Sequence, residues 1–298
     1  MARFGSSAGR RLVAGVPIAW LLVWFLAPFL IVLAISFSQM RLAIPPFAPL
    51  LAWHRGFPAL ELHLSSYAAL LRDPLYAAAL LYSITVAAVT TLLTLLIGYP
   101  MAYAIARASP ARRTVLLMLV MLPFWTSFLL RIYAWIGLLQ NDGVVNHVLL
   151  LLGIVHHPLV MLQTDFSLYV GITYGYLPFM VLPLYANLEK HDPALLEAAA
   201  DLGARPFTRF ARITLPQSLS GIAAGSLLVF IPVIGEYVIP SLLGRTDQLM
   251  IGRVLTAEFF ENRDWPGASA VAVVMLLLLV VPITLLKRFE KRELAGRR

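Results

Sequence analysis

The sequence contains no cysteine. Disulfides, thiolate metal sites and a thiol nucleophile are therefore excluded. Charge is almost as scarce. Asp, Glu, Lys and Arg make up 13% of the 298 residues, against about a quarter in a soluble domain. The phosphate-cradling pattern G-x-x-x-x-G-K-[ST] does not occur, so the chain has no P-loop with which to hydrolyse a nucleotide. The histidines have no metal-ligand spacing. His156 and His157 are adjacent and would point to different faces of a helix, so they read as loop residues. No cluster of His, Asp and Glu falls within an apolar segment, which argues against a membrane-embedded enzyme. No metal or cofactor of its own is expected.

What remains is apolar. Hydrophobic residues are 60% of the chain, and that places it in a membrane. The formal net charge of +8 fits the excess of Lys and Arg in cytoplasmic loops. A nucleic-acid surface is the poorer reading, because no basic stretch is interleaved with aromatics in a polar segment.

Six apolar runs each approach the roughly 20 residues that cross a bilayer. They cover about 12–37, 75–106, 114–139, 168–188, 219–242 and 268–286. The chain is thus expected to be all-α, a single transmembrane domain over 1–298. The first run is too long for the core of a signal peptide. Pro17, Pro28, Pro123, Pro178, Pro183, Pro232 and Pro240 lie inside runs, which lipid tolerates when neighbours satisfy the freed backbone. Residues 38–74, 140–167 and 243–267 read as loops. Sixteen of the 23 Lys and Arg lie before the first run, at 107–113, at 189–218 and after the sixth run. All four segments fall on one side, so both termini are expected in the cytoplasm.

The segment 189–218 is a polar, helix-prone insert between the fourth and fifth runs. Asp192-Pro193 has the form of an N-cap followed by proline at the first helical position. Gly203 has the form of a helix stop. The helix between them is about ten residues, or roughly 15 Å, long. Glu197 and Asp201 share one face, while Leu195, Leu196, Ala198, Ala199 and Leu202 leave the rest small or apolar. Pro206 opens a second short helix with Arg209 and Arg212. An amphipathic helix lying on the membrane is one reading. Docking into a protein groove is the better one, because the acids would face anionic headgroups and alanines anchor poorly.

Glu197-Ala198-Ala199, then Gly203, then nine residues to Ile213 with Leu215 and Pro216, resembles the EAA loop of ABC importer permeases. The resemblance implies a type I permease architecture with a cytoplasmic coupling helix between spans four and five. Glu197, Ala198, Ala199, Asp201 and Gly203 would then contact a separate ATP-binding subunit. Further segments resemble the polyamine-type permeases. They are Leu71-Arg72-Asp73-Pro74-Leu75-Tyr76, Gly98-Tyr99-Pro100, Leu122-Pro123-Phe124-Trp125-Thr126, Arg131-Ile132-Tyr133, Gly235-Glu236-Tyr237-Val238-Ile239-Pro240 and Asn262-Arg263-Asp264-Trp265-Pro266. Within that group the chain is most similar to the putrescine-type permease. The resemblance implies a bacterial inner-membrane importer with two unlike permeases, an ATP-binding subunit dimer and a periplasmic polyamine-binding protein.

A polyamine is a flexible chain with ammonium ends, and its path should offer carboxylates and aromatic faces. Glu236 is the one carboxylate inside an apolar run. It either faces the path and meets an ammonium, or pairs with Arg131, the one Arg inside a run. Trp125, Tyr133, Trp135, Tyr174, Tyr176 and Tyr237 could supply faces. Trp125, after the break at Pro123, and Tyr237, beside Glu236, are the expected pair. The 243–267 loop packs Arg245, Arg253 and Arg263 among acids and is expected to dock the binding protein.

Overall fold

The computed structural model describes residues 7–54 and 57–296. Helix α1 (Ser7–Leu21) passes through a π turn at Leu22–Leu26 into α2 (Ala27–Ser36). Strands β1 (Leu51–His54) and β2 (Phe57–Leu60) form an antiparallel hairpin with Leu51 opposite Leu60. Next come α3 (Ser65–Arg72) and α4 (Pro74–Arg107). Then follow α5 (Pro110–Met121), a 3-10 turn at Leu122–Trp125, α6 (Phe128–Leu139) and α7 (Val144–Leu151). Helix α8 is Asp165–Leu188 and α9 is Pro193–Asp201. Helix α10 (Pro206–Arg209), a π turn at Phe210–Thr214 and α11 (Leu215–Gln217) lead into α12 (Leu219–Ile234). The chain closes with α13 (Val238–Leu243), α14 (Ile251–Phe260) and α15 (Trp265–Gly296). Both π turns lie just upstream of a proline, Pro28 and Pro216. The wider turn gives room where a proline ring would strike the carbonyl four residues back.

Three stretches are long and apolar enough to cross a membrane unbroken: Val13–Ser36, Pro74–Arg107 and Asp165–Leu188. Two more candidates are bent pairs, Pro110–Trp125 with Phe128–Leu151 at 90° and Pro206–Gln217 with Leu219–Ile234 at 63°. With each bent pair taken as one span, the described residues hold five candidate crossings, and Trp265–Val280 is a shorter apolar helix in the sixth run.

The third run bends at the break expected at Pro123: the proline lacks a backbone N–H, and the chain turns at the 3-10 segment. Other sequence expectations are corrected. The fifth run breaks at residues 235–237, so its last turn is the separate helix α13. The expected loops are largely structured, because 38–74 holds the hairpin and α3, 140–167 holds α7 and 243–267 holds α14. In the second of these, Asn146 is fully buried; its amide donates to Leu159 O at 2.9 Å and accepts from Leu159 N at 2.8 Å, pinning the chain end to α7.

The chain gathers into two compact units, Met1–Ala77 with Leu255–Leu278, and Ala78–Val254 with Leu279–Arg298. In the first, Trp265 stacks on Phe259 with ring centroids 4.9 Å apart, and Phe47 lies 6.0 Å from the same indole. Tyr67 bonds Ser36 at 2.7 Å, and the Tyr76 hydroxyl donates to Glu258 at 3.0 Å. Apart from Ser36 at its end, the spanning stretch of α1 and α2 has no buried residue among those described, so its Trp20, Trp24 and Phe25 are left for lipid or a partner.

The second unit is built on α8, which packs most extensively against α12. Met180, Val181 and Leu184 of α8 and Val229 and Val233 of α12 are all fully buried. Small residues let the helices meet, as is usual in lipid. A Cβ on Gly225 would lie 2.8 Å from Met180 Sδ, and one on Gly171 would lie 2.5 Å from Leu243 Cδ1. At one end of this unit Tyr82 donates to Asp165 at 2.9 Å, and Arg245 reaches Asp165 at 3.5 Å and Asp247 at 2.5 Å. Arg245 holds the Asp247 carboxyl below its ordinary value. Arg245 is therefore engaged within its own unit.

Candidate functional site

The polar insert forms as its sequence predicts. Asp192 Oδ1 accepts from Ala194 N at 2.9 Å, and Pro193 starts α9. At the far end Gly203 has φ +79, with Gly203 N donating to Ala200 O at 2.8 Å and Ala204 N to Ala199 O at 2.9 Å. These two bonds are a Schellman stop, and glycine takes the left-handed turn without strain. Nothing in α9 is buried. Glu197, Ala198, Asp201 and Gly203 are exposed and Ala199 half-buried. Neither Glu197 nor Asp201 has an ion-pair partner among the described residues. Leu202 and Phe207 are also exposed, at 89% and 79%. This is a short, capped helix that presents acids and apolar side chains with nothing over them.

The insert is nonetheless tied down behind α9. Arg209 Nη1 donates to Leu196 O at 3.4 Å. Phe210 wedges edge-on against Tyr99, at 5.6 Å, and Tyr103, at 6.4 Å, both on α4. Tyr99 and Ser218 hydroxyls bond at 2.9 Å, and Arg113 pairs with Glu189 at 2.6 Å. Burial pushes the His191 imidazole below its ordinary value; nearby Arg107 acts the same way, and a bond with the Gln217 backbone opposes both. His191 thus links the two ends of the insert. These contacts connect the insert to α4 and to the start of α12.

The second feature is a cavity of about 910 Å³ in the same unit. Phe124, Phe128 and Arg131 come from the broken third run, Gly175, Tyr176 and Phe179 from α8, and Leu227, Leu228, Ile231 and Pro232 from α12. Phe124 meets Phe179 edge-on at 5.3 Å. The Arg131 guanidinium lies 5.3 Å from the Phe124 ring and 5.7 Å from Phe128, a cation–π arrangement. Its Nε is buried without a hydrogen-bond partner.

Glu236 sits at the break between α12 and α13. Its Oε1 accepts from Val238 N at 3.1 Å, with Ile239 N at 3.5 Å, and its other oxygen takes a short hydrogen bond from the Tyr176 hydroxyl. The carboxylate therefore satisfies amides at the start of α13 and joins them to α8. The break is closely backed, since a Cβ on Gly252 would meet Gly235 O at 2.4 Å. No Glu236–Arg131 pair exists among the described residues, so that pairing is set aside. Of the expected aromatics, Trp125 is 79% exposed and Tyr237 is 44% exposed, and neither lines the cavity. Phe124 and Tyr176 line it instead. In a 3-10 turn successive side chains lie about 120° apart, so when Phe124 faces in, Trp125 faces out. Tyr176 is one of the six candidate faces, and its bond to Glu236 follows only once α8 packs opposite the break.

Comparison with known proteins places this arrangement. The family model for the binding-protein-dependent transport system inner membrane component matches residues 94–294. The spermidine/putrescine transport system permease protein PotB of Haemophilus influenzae is 38% identical over 95% of this chain and 94% of its own. The Escherichia coli protein of the same name is 37% identical over 88% and 90%. The E. coli inner membrane ABC transporter permease protein YdcU is 32% identical over 70% of each chain. Among solved structures, a bacterial alginate ABC transporter in complex with its alginate-bound periplasmic protein superposes with TM-score 0.68 at 18% identity, covering 98% of both chains. The methionine ABC transporter MetNI superposes with TM-score 0.53 at 15% identity, over 73% of this chain and 95% of its own. The fold is that of ABC importer permeases.

Proposed function

The chain belongs to the family of binding-protein-dependent transport system inner membrane components, and from that premise we propose that it is one permease subunit of an ATP-driven polyamine importer. The observation that carries the cargo is the 38% identity, across nearly the whole of both chains, to a spermidine/putrescine permease. The importer takes putrescine, and spermidine as a longer homologue. A periplasmic polyamine-binding protein delivers the cargo, a second, homologous permease completes the path, and a dimer of ATP-binding subunits drives it. This chain hydrolyses nothing and carries no cofactor; ATP is bound by the partner. Both termini and the insert lie in the cytoplasm.

The exposed face of α9 seats in the ATP-binding subunit, with Glu197, Ala198, Ala199, Asp201 and Gly203 as the contact. Motion there passes to α4 through Phe210 and to the cavity through α11 and α12. On the path, Glu236 receives a substrate ammonium by exchanging it for the Tyr176 hydroxyl. The carboxylate is already oriented by the α13 amides, so the exchange replaces one donor with a charged one.

One observation favours a second reading. Arg131 lines the cavity without an anionic partner, which would suit an anionic solute. The test is uptake of labelled putrescine, spermidine and molybdate in cells that express the whole transporter with and without this chain. Chain-dependent putrescine uptake is expected; chain-dependent molybdate uptake without it would replace the polyamine reading.

A further inference from the structure

Arg131 poses a problem that the chain alone does not solve. It lines the cavity beside Gly175, Tyr176 and Phe179. Those residues lie near the middle of α8, which runs Asp165–Leu188, so Tyr176 is roughly 17–18 Å from each end of the helix. The hydrocarbon layer is about 30 Å thick, so Arg131 stands near its centre. A charge there is costly unless it is paired. Stacking on Phe124 and Phe128 offsets part of that cost, yet Nε remains buried and unpartnered. The other walls are apolar, with Leu227, Leu228 and Ile231 opening outward from α12.

The missing acceptor is not the cargo, if the proposed reading holds, because a dication is repelled by a guanidinium. Nor is it a lipid phosphate, since headgroups lie at the surface and the cavity lies at mid-depth. A second copy of this chain does not serve either. It would bring a second Arg131 to the same groove, and Glu236, the one carboxylate in its apolar runs, is already held by Tyr176 and the α13 amides.

We infer that this groove seats a transmembrane helix of a second, unlike permease, and that an intramembrane carboxylate on that helix pairs with Arg131. The inference rests on the proposed two-permease importer. It adds the surface, the charge at its centre and the reason the partner must differ from this chain. Neutralising Arg131 also removes the repulsion that would keep a cation from Tyr176 and Glu236.

The chain has no cysteine, so single cysteines label it cleanly. Leu228→Cys and Ile231→Cys are placed in the groove, and Leu96→Cys on the exposed side of α4 serves as control. Each is co-expressed with the remaining transporter subunits and treated with a membrane-permeant bis-maleimide. The groove cysteines are expected to link to the second permease, identified by mass spectrometry, and Leu96→Cys is not. Separately, Arg131→Met should lower recovery of the second permease with the tagged chain by at least about tenfold, and Arg131→Lys should retain most of it. Groove cysteines that link to a second copy of this chain, or Arg131→Met that leaves recovery unchanged, would overturn the inference. The readout is assembly, not cargo, so it stands or falls apart from the polyamine assignment.

Discussion

Glu236 carries a charge where charge is costly, and its surroundings say what it does between transport events. It holds α13 by its first amides and α8 by Tyr176. On the proposed path, an ammonium displacing the tyrosine would keep the carboxylate satisfied while removing its bond to α8. Glu236→Gln retains an acceptor for the α13 amides but loses the ion pair with the substrate. It should reduce putrescine uptake by about tenfold or more, while the ATP-binding subunit still co-purifies in normal amount. Unchanged uptake kinetics would remove Glu236 from the path. The importance of Glu236 was legible from the sequence, because it is the one acid in an apolar run. Its partner was not. Tyr176 lies sixty residues upstream, and only the packing of α8 on α12 brings the two together. Trp125 does not line the cavity for a local reason: it and Phe124 are neighbours on a tight turn, and sequence alone does not say which one faces in.

Among the elements, α9 was the most legible. An N-cap, a proline and a glycine stop set its limits, and all three are satisfied by local hydrogen bonds that need no tertiary context. The anchoring behind it was not legible, since Phe210 finds Tyr99 and Tyr103 only once α4 is in place. That anchoring separates contact from fold. Glu197→Lys changes an exposed side chain with no ion-pair partner among the described residues, so the chain should insert and remain as stable as before. Like charges brought together at an interface cost several kcal/mol, so the ATP-binding subunit should be lost on purification and uptake abolished. Retention of both would show that α9 is not the coupling contact. The break in the third run is legible from Pro123, whereas the fifth run reads as continuous because hydropathy records composition and not direction. Pro123 and Gly235 mark the places where the ladder is interrupted, and the aromatic cavity and Glu236 lie at those interruptions.

For the whole molecule, apolar length and the placement of basic residues predict six crossings. Three single helices and two bent pairs match five of them, and the shorter apolar helix Trp265–Val280 lies in the sixth run. The molecule has an exposed short helix α9, a half-open apolar groove with an unanswered arginine, and a first helix whose apolar side chains are largely exposed. Each is a surface that a larger assembly would cover. The central claim, that this chain is the membrane half of an ATP-driven polyamine importer, is tested most directly by reconstitution. The complete transporter is placed in proteoliposomes with its periplasmic binding protein, and labelled putrescine is followed with and without ATP at the face that carries α9. Putrescine should accumulate only when both ATP and the binding protein are present. Accumulation driven by an ion gradient alone, with ATP and the binding protein dispensable, would contradict the account.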